Sequence, residues 1–273
     1  MPPRDHAPAG GACRNALLSG PRSLIPAALL FLGAIPGAGT AAAVAAPPPA
    51  AAAEDAADTG AATPDRHPDL RRLGPREEVW IDLARKRVVV GGRVALDRGL
   101  LEFFACPKET KEHESVVAVE SSARLVHAAL LAIGLEPGKP VSFDPIYAPA
   151  SGPRIRVTME WKDADGEPRR ADARTWIRDT RTGKALETDW VFAGSAFWRD
   201  PADGKEYYQA DGGDLVCVSN FPTATLDLPI ESSQSNEALL FEVFEERVPK
   251  RGTPVEMILS AADAPPGGPD RGK

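Results

Sequence analysis

Hydrophobic and polar positions alternate most clearly from Ile155 to Trp161. Ile155, Val157, Met159 and Trp161 share one phase, and Arg156, Thr158 and Glu160 the other. A period of two marks a β-strand with one buried face. Asp163-Ala164-Asp165-Gly166 then supplies turn chemistry, and Arg169 to Ile177 completes a predicted hairpin. An earlier hairpin is predicted from Val79 to Leu83 and Arg87 to Leu96, on either side of Ala84-Arg85-Lys86. Leu100 to Ala105, Ser115 to Glu120, Trp190 to Trp198, Glu206 to Ala210 and Leu215 to Ser219 read as further strands. Leu239 to Val248 and Val255 to Leu259 form a last pair, although NEALLFEVFEER also fits a helix. One helix stands out: Ser121 or Ser122 caps it, Leu125, Ala128, Ala129 and Ala132 share a face, and Gly134 ends the pattern. The expected architecture is α+β and strand-rich, an antiparallel meandering sheet with one main helix packed on it.

The pattern differs outside this body. Arg4, Arg14 and Arg22 give a cationic start, and Ser23 to Ile35 (SLIPAALLFLGAI) is an apolar run closed by Pro36-Gly37. That run is shorter than the roughly 20 residues a spanning helix needs, but it suits the apolar region of a signal peptide. Ala43-Val44-Ala45 fits a small-x-small cleavage site. The expected organisation is a signal peptide over 1–45, an Ala/Pro-rich disordered linker over 46–76, one domain over 77–260 and a disordered tail over 261–273. It implies an exported protein, periplasmic or extracellular, with no membrane span after signal cleavage.

Composition supports a single core. All five Trp, all three Tyr and eight of the nine Phe lie between Trp80 and Phe244, so the large buried side chains come from this stretch. The net charge of −7 is concentrated there too, with 23 Lys and Arg against 31 Asp and Glu over 77–260. An acidic body without a basic stripe repels a phosphate backbone, which argues against nucleic-acid binding.

Several residues could carry chemistry. Cys106 and Cys217 are the two cysteines left after signal removal. In an oxidising compartment they could form a disulfide, remain buried thiols, or include one reactive thiol. The segment ACPKETKEHESV places Cys106, His113 and Glu114 close together, and with His127 they offer thiolate, imidazole and carboxylate ligands for a metal such as zinc. His113 could instead activate Cys106. Asp163/Asp165 and Asp211/Asp214 sit in turns and lack the closing acid of a calcium loop. Ser195 lacks the second glycine of a nucleophile elbow. Trp190, Phe192 and Trp198 share one phase of WVFAGSAFW, which is either a strand buried on both faces or the lining of an apolar ligand groove.

Three segments together, LLEFFACPKETKEHES, WVFAGSAFW and DGGDLVCVSNFPTATLDLPIESS, resemble the YdjY-domain family of exported bacterial proteins, in the same order and over about 77–260. The positions carrying the resemblance are Cys106, Lys111, His113, Glu114 and Ser115, then Asp211, Gly212, Gly213, Cys217, Asn220 and Pro222. The family implies no established activity. Some relatives are described as ferredoxin-like, but two cysteines cannot supply a four-cysteine cluster. The leading expectation is an extracytoplasmic binding or accessory domain for an unknown small molecule or envelope protein. The alternative is a metal- or thiol-dependent enzyme centred on Cys106, His113 and Glu114. The cofactor is unknown on either reading.

Overall fold

The structure is a computed structural model that describes residues 65–232 and 239–263. Its first strands are β1 (Arg71–Arg72), β2 (Val79–Asp82), β3 (Arg87–Val94), β4 (Leu100–Leu101), β5 (Phe103–Pro107) and β6 (Ser115–Val119). After the helix α1 (Ala123–Ala132) come β7 (Arg154–Lys162), β8 (Pro168–Asp172), β9 (Ile177–Asp179), β10 (Trp190–Phe192), β11 (Phe197–Arg199) and β12 (Glu206–Tyr208). The remainder are β13 (Val216–Cys217), β14 (Leu226–Asp227), β15 (Phe241–Val243) and β16 (Pro254–Ala261).

Eight strands, in the order β3-β16-β7-β10-β14-β13-β5-β6, form a sheet whose end returns to its beginning. β6 pairs with β3 through Val119–Gly92, Ala118–Arg93 and Val117–Val94. The expected antiparallel meander with a helix laid on it is therefore overturned: the sheet closes on itself as a mixed barrel. Two of its pairings, β5–β6 and β13–β14, are parallel. Closure removes the open edges that a meander would expose.

The reason for closure lies in two glycines inside β3. One edge of β3 pairs with β16 over its length, while the other pairs with β2 up to Val90 and with β6 from Gly92. A side chain at Gly91 would come within 2.1 Å of the Glu78 carboxylate, and one at Gly92 within 2.4 Å of the Ala118 carbonyl. The partner change needs backbone where an alternating strand would place side chains.

The interior is filled by large side chains, among them Phe104, Ile155, Met159, Trp176, Trp190 and Phe192, all fully buried. A second sheet, β4-β15-β9, adds Leu101, Ile177, Phe241 and Val243 to the same core. The predicted last strand pair is not formed: β15 pairs with β4 and β9, and β16 with β3 and β7. The Leu100 to Ala105 run divides around buried Glu102, and a bulge lets Phe104 and Ala105 face the main core while Phe103 faces a separate cluster.

Helix α1 begins and ends as expected but buries a different face. Ser122 caps it, accepting from the Leu125 amide at 3.3 Å. At the other end the Gly134 amide reaches the Leu131 carbonyl and Leu135 that of Leu130, with Gly134 at φ 89. That left-handed stop is the usual role of glycine after a helix. The buried stripe is Ala123, Val126, Ala129 and Leu130, whereas Ala128 and Ala132 are exposed.

The linker boundary also moves. Residues 65–76 join the body: β1 pairs with β2, Trp80 Nε1 donates to Asp65 at 2.7 Å, and His67 bonds Glu256 at 2.9 Å. The proposed signal peptide (1–45) lies outside the described residues. Among those described, no helix is long and apolar enough to cross a membrane.

Candidate functional site

The predicted metal ligands do not converge. Cys106 is buried on β5, with its thiol beside Thr110, Ser115 and the Lys111 backbone, and burial pushes its pKa up. The His113 side chain is 77% exposed, 3.6 Å from Glu114. His127 lies on α1 against Phe192 and Tyr208. No group of three or more His, Cys, Asp or Glu that could hold a metal occurs among the described residues. The disulfide reading is corrected as well, because Cys106 and Cys217 are both free and buried. The predicted groove dissolves because Trp190 and Phe192 are fully buried in the core, while Trp198 stands apart on β11 and is exposed.

The structure assembles a different set of residues. Each parallel pairing requires the chain to cross from one strand to its neighbour, here through the short segments 108–114 and 218–225. Lys111, from the first crossover, joins them. Its ammonium donates to Asp214 at 2.8 Å and lies 4.4 Å from the centre of the Phe103 ring and 5.1 Å from that of Phe221. Those two rings stack with centres 5.0 Å apart. The stem of Lys111 runs against Gly213, where a side chain would sit 2.6 Å from Cγ and Cδ; Gly213 also has φ 136. An aromatic, charge-paired lysine of this kind is a fixed strut.

From Asp214 the hydrogen bonds continue. Thr223 Oγ1 donates to the other Asp214 oxygen, and the Thr223 carbonyl accepts from Ser195 Oγ at 2.6 Å. That bond accompanies the left-handed backbone of Ser195, at φ 53, an uncommon conformation for a residue with a side chain. Next to it, the buried Tyr208 hydroxyl donates to the Gly194 carbonyl at 3.1 Å and lies 3.0 Å from Thr225 Oγ1 and 2.8 Å from His127 Nδ1. A phenol has one proton to give. With that proton on Gly194, Thr225 and His127 must donate to its oxygen, which assigns the imidazole proton to Nδ1. Burial pushes the Tyr208 pKa up to about 12 and lowers that of His127, so both stay neutral near pH 7. Asp211 completes the set by accepting the Arg124 amide at 2.9 Å, a second cap on α1.

A buried carboxyl lies on the same outer side. Val216 pairs with Leu226, and both join the main core, so the next residues, Cys217 and Asp227, face the other way. One Asp227 oxygen accepts from the Leu228 amide at 2.8 Å and from Asn220 at 3.3 Å, while Oδ2 has no protein partner. Burial pushes Asp227 up to about 7. Burial first, then the nearby Asp227 and Asp214 charges, push the Cys217 thiol well above its ordinary value.

Above this network stands the β11–β12 hairpin, a sheet of its own. Tyr208 points into the base, whereas Phe197, Trp198 and Tyr207 are exposed by 58%, 48% and 47%. Trp198 sits directly across from Tyr207, with ring centres 5.9 Å apart. A groove of about 680 Å³ beside Trp161 lies elsewhere, and three of its cations are paired: Arg66 with Glu78, Arg169 with Asp163 and Arg170 with Glu160.

Sequence reasoning reached Cys106, Lys111, His127, Asp211, Gly213, Cys217, Asn220 and Trp198, but not the partners that give them roles. Asp214 was visible only as turn chemistry, while Tyr207, Tyr208, Thr223 and Thr225 carried no motif. Asp227 did leave a signal, an acid set between Leu226 and Leu228 in TLDLP. A family model described as the YdjY domain matches residues 79–260, and the chain belongs to that family. No curated protein and no solved structure matches it.

Proposed function

We propose that this YdjY-domain chain is a binding module acting outside the cytoplasm, and that it presents the β11–β12 hairpin to its ligand. One observation carries the reading: among the described residues, every exposed aromatic side chain, Phe197, Trp198 and Tyr207, is on that hairpin. Scattered apolar exposure is ordinary, but a local cluster marks a contact surface. The base of the hairpin is held by Tyr208 through Thr225, Gly194 and His127, so the strands that carry the rings are anchored before any ligand arrives. Such preorganisation lowers the entropy lost on binding.

The state of the polar groups favours binding over turnover. Burial disfavours the thiolate of Cys106 and Cys217, and Lys111 is committed to Asp214. Export is supported by the cationic start, the apolar run Ser23 to Ile35 and the small residues that follow. The test compares the purified protein with a Trp198→Ala/Tyr207→Ala double variant for retention on washed envelope fractions of the source cells. The expected result is a loss of about tenfold in retention with an unchanged circular dichroism spectrum. Equal retention of the two proteins would overturn the reading.

A further inference from the structure

Resting on that reading, we infer that the face carrying Trp198 and Tyr207 is a stacking platform for a neutral pyranose ring of a glycan. The size of the apolar floor decides against a protein partner. An aromatic side chain contributes about 150–250 Å². With half of each ring exposed, Trp198 and Tyr207 together offer roughly 200 Å², far below the approximately 800 Å² per partner of a standard protein interface. That area suits one or two sugar rings.

Shape and chemistry agree. The two rings adjoin across the ladder, with centres 5.9 Å apart and planes tilted by 34°, and each is about half exposed. Phe197 is on the opposite face, against Tyr208, so it does not interrupt the floor. The ladder continues from Asp200 to Lys205, whose carbonyl accepts the Asp200 amide at 2.8 Å. Both lie two residues along from Trp198 and Tyr207 at the tip, where Asp200 Oδ1 accepts the Ala202 amide at 2.8 Å and the Lys205 ammonium pairs with Asp203 at 3.0 Å. Gln209, where a 3-10 turn begins, closes the base through its backbone amide, which donates to the Ala196 carbonyl at 2.9 Å. A pyranose has this composition in complement: an apolar C–H face for the rings, and hydroxyls around the edge for the polar surroundings of the hairpin. Charge excludes acidic sugars. The hairpin carries Arg199 and Lys205 against Asp200, Asp203 and Glu206, on a body that is itself acidic.

The test titrates full-length mature protein with cellohexaose, chitohexaose and hexagalacturonate, following tryptophan fluorescence and calorimetry. An array of hydrophobic peptides is probed in parallel. The expected result is saturable binding of a neutral hexasaccharide but not of the uronate. Affinity should fall by about tenfold or more in Trp198→Ala and in Tyr207→Ala, and be largely restored by Trp198→Phe. Saccharide binding that Trp198→Ala leaves unchanged overturns the inference. Peptide binding through the hairpin without saccharide binding also overturns it, while leaving the binding-module reading intact. If neither probe binds and the hairpin variants are retained on envelopes like the parent, both fall.

Discussion

Asp227 is a carboxyl placed where a carboxylate is poorly solvated. Only one of its oxygens has protein partners, and burial pushes its pKa up to about 7. A group held more tightly protonated in the folded state stabilises that state fully below its unfolded value, here 3.8, and the contribution is lost as pH rises through about 7. A difference of that size corresponds to roughly 4 kcal/mol. Urea denaturation between pH 4 and pH 8 should therefore show stability falling as pH rises, and Asp227→Asn should flatten the profile. Asparagine keeps an acceptor for Leu228 and Asn220 and carries no charge to desolvate. A variant as pH-sensitive as the parent would remove this account. At this scale the sequence was only partly readable: residue types marked candidates for chemistry, but Lys111 and Asp214 are 103 positions apart, and no local pattern reports their contact.

Among the elements, those governed by local rules were legible. The hairpin of β2 and β3 and the period-two strand β7 appear where the pattern puts them, and α1 starts at a serine cap and stops at Gly134. What failed was the partnering. The small residues of α1 left its buried stripe ambiguous, and β3 reads as an ordinary strand although its glycines decide the seam. That seam can be tested directly. Gly92→Val would drive a branched side chain into the Ala118 carbonyl at the β3–β6 junction and should cost about 3 kcal/mol or more in chemical denaturation. Gly212→Ala, with open space around the added methyl, should change stability little. Comparable losses at both sites would mean that closure does not depend on the glycine pair.

For the whole molecule, the governing fact is that the barrel is assembled from distant parts of the chain. β16 lies between β3 and β7 and pairs with both. A chain ending at Thr253 would leave those two strands with bare edges and an opened core. Such a protein should show no cooperative thermal transition, and a retained transition near that of the parent would contradict the barrel as the stabilising unit. The same placement has a temporal side. The strand that seals the wall is the last of the body to be synthesised, so no earlier length of chain can shut the barrel around itself. For as long as residues 254–261 are still to come, β3 and β7 have no strand between them and the wall stays open.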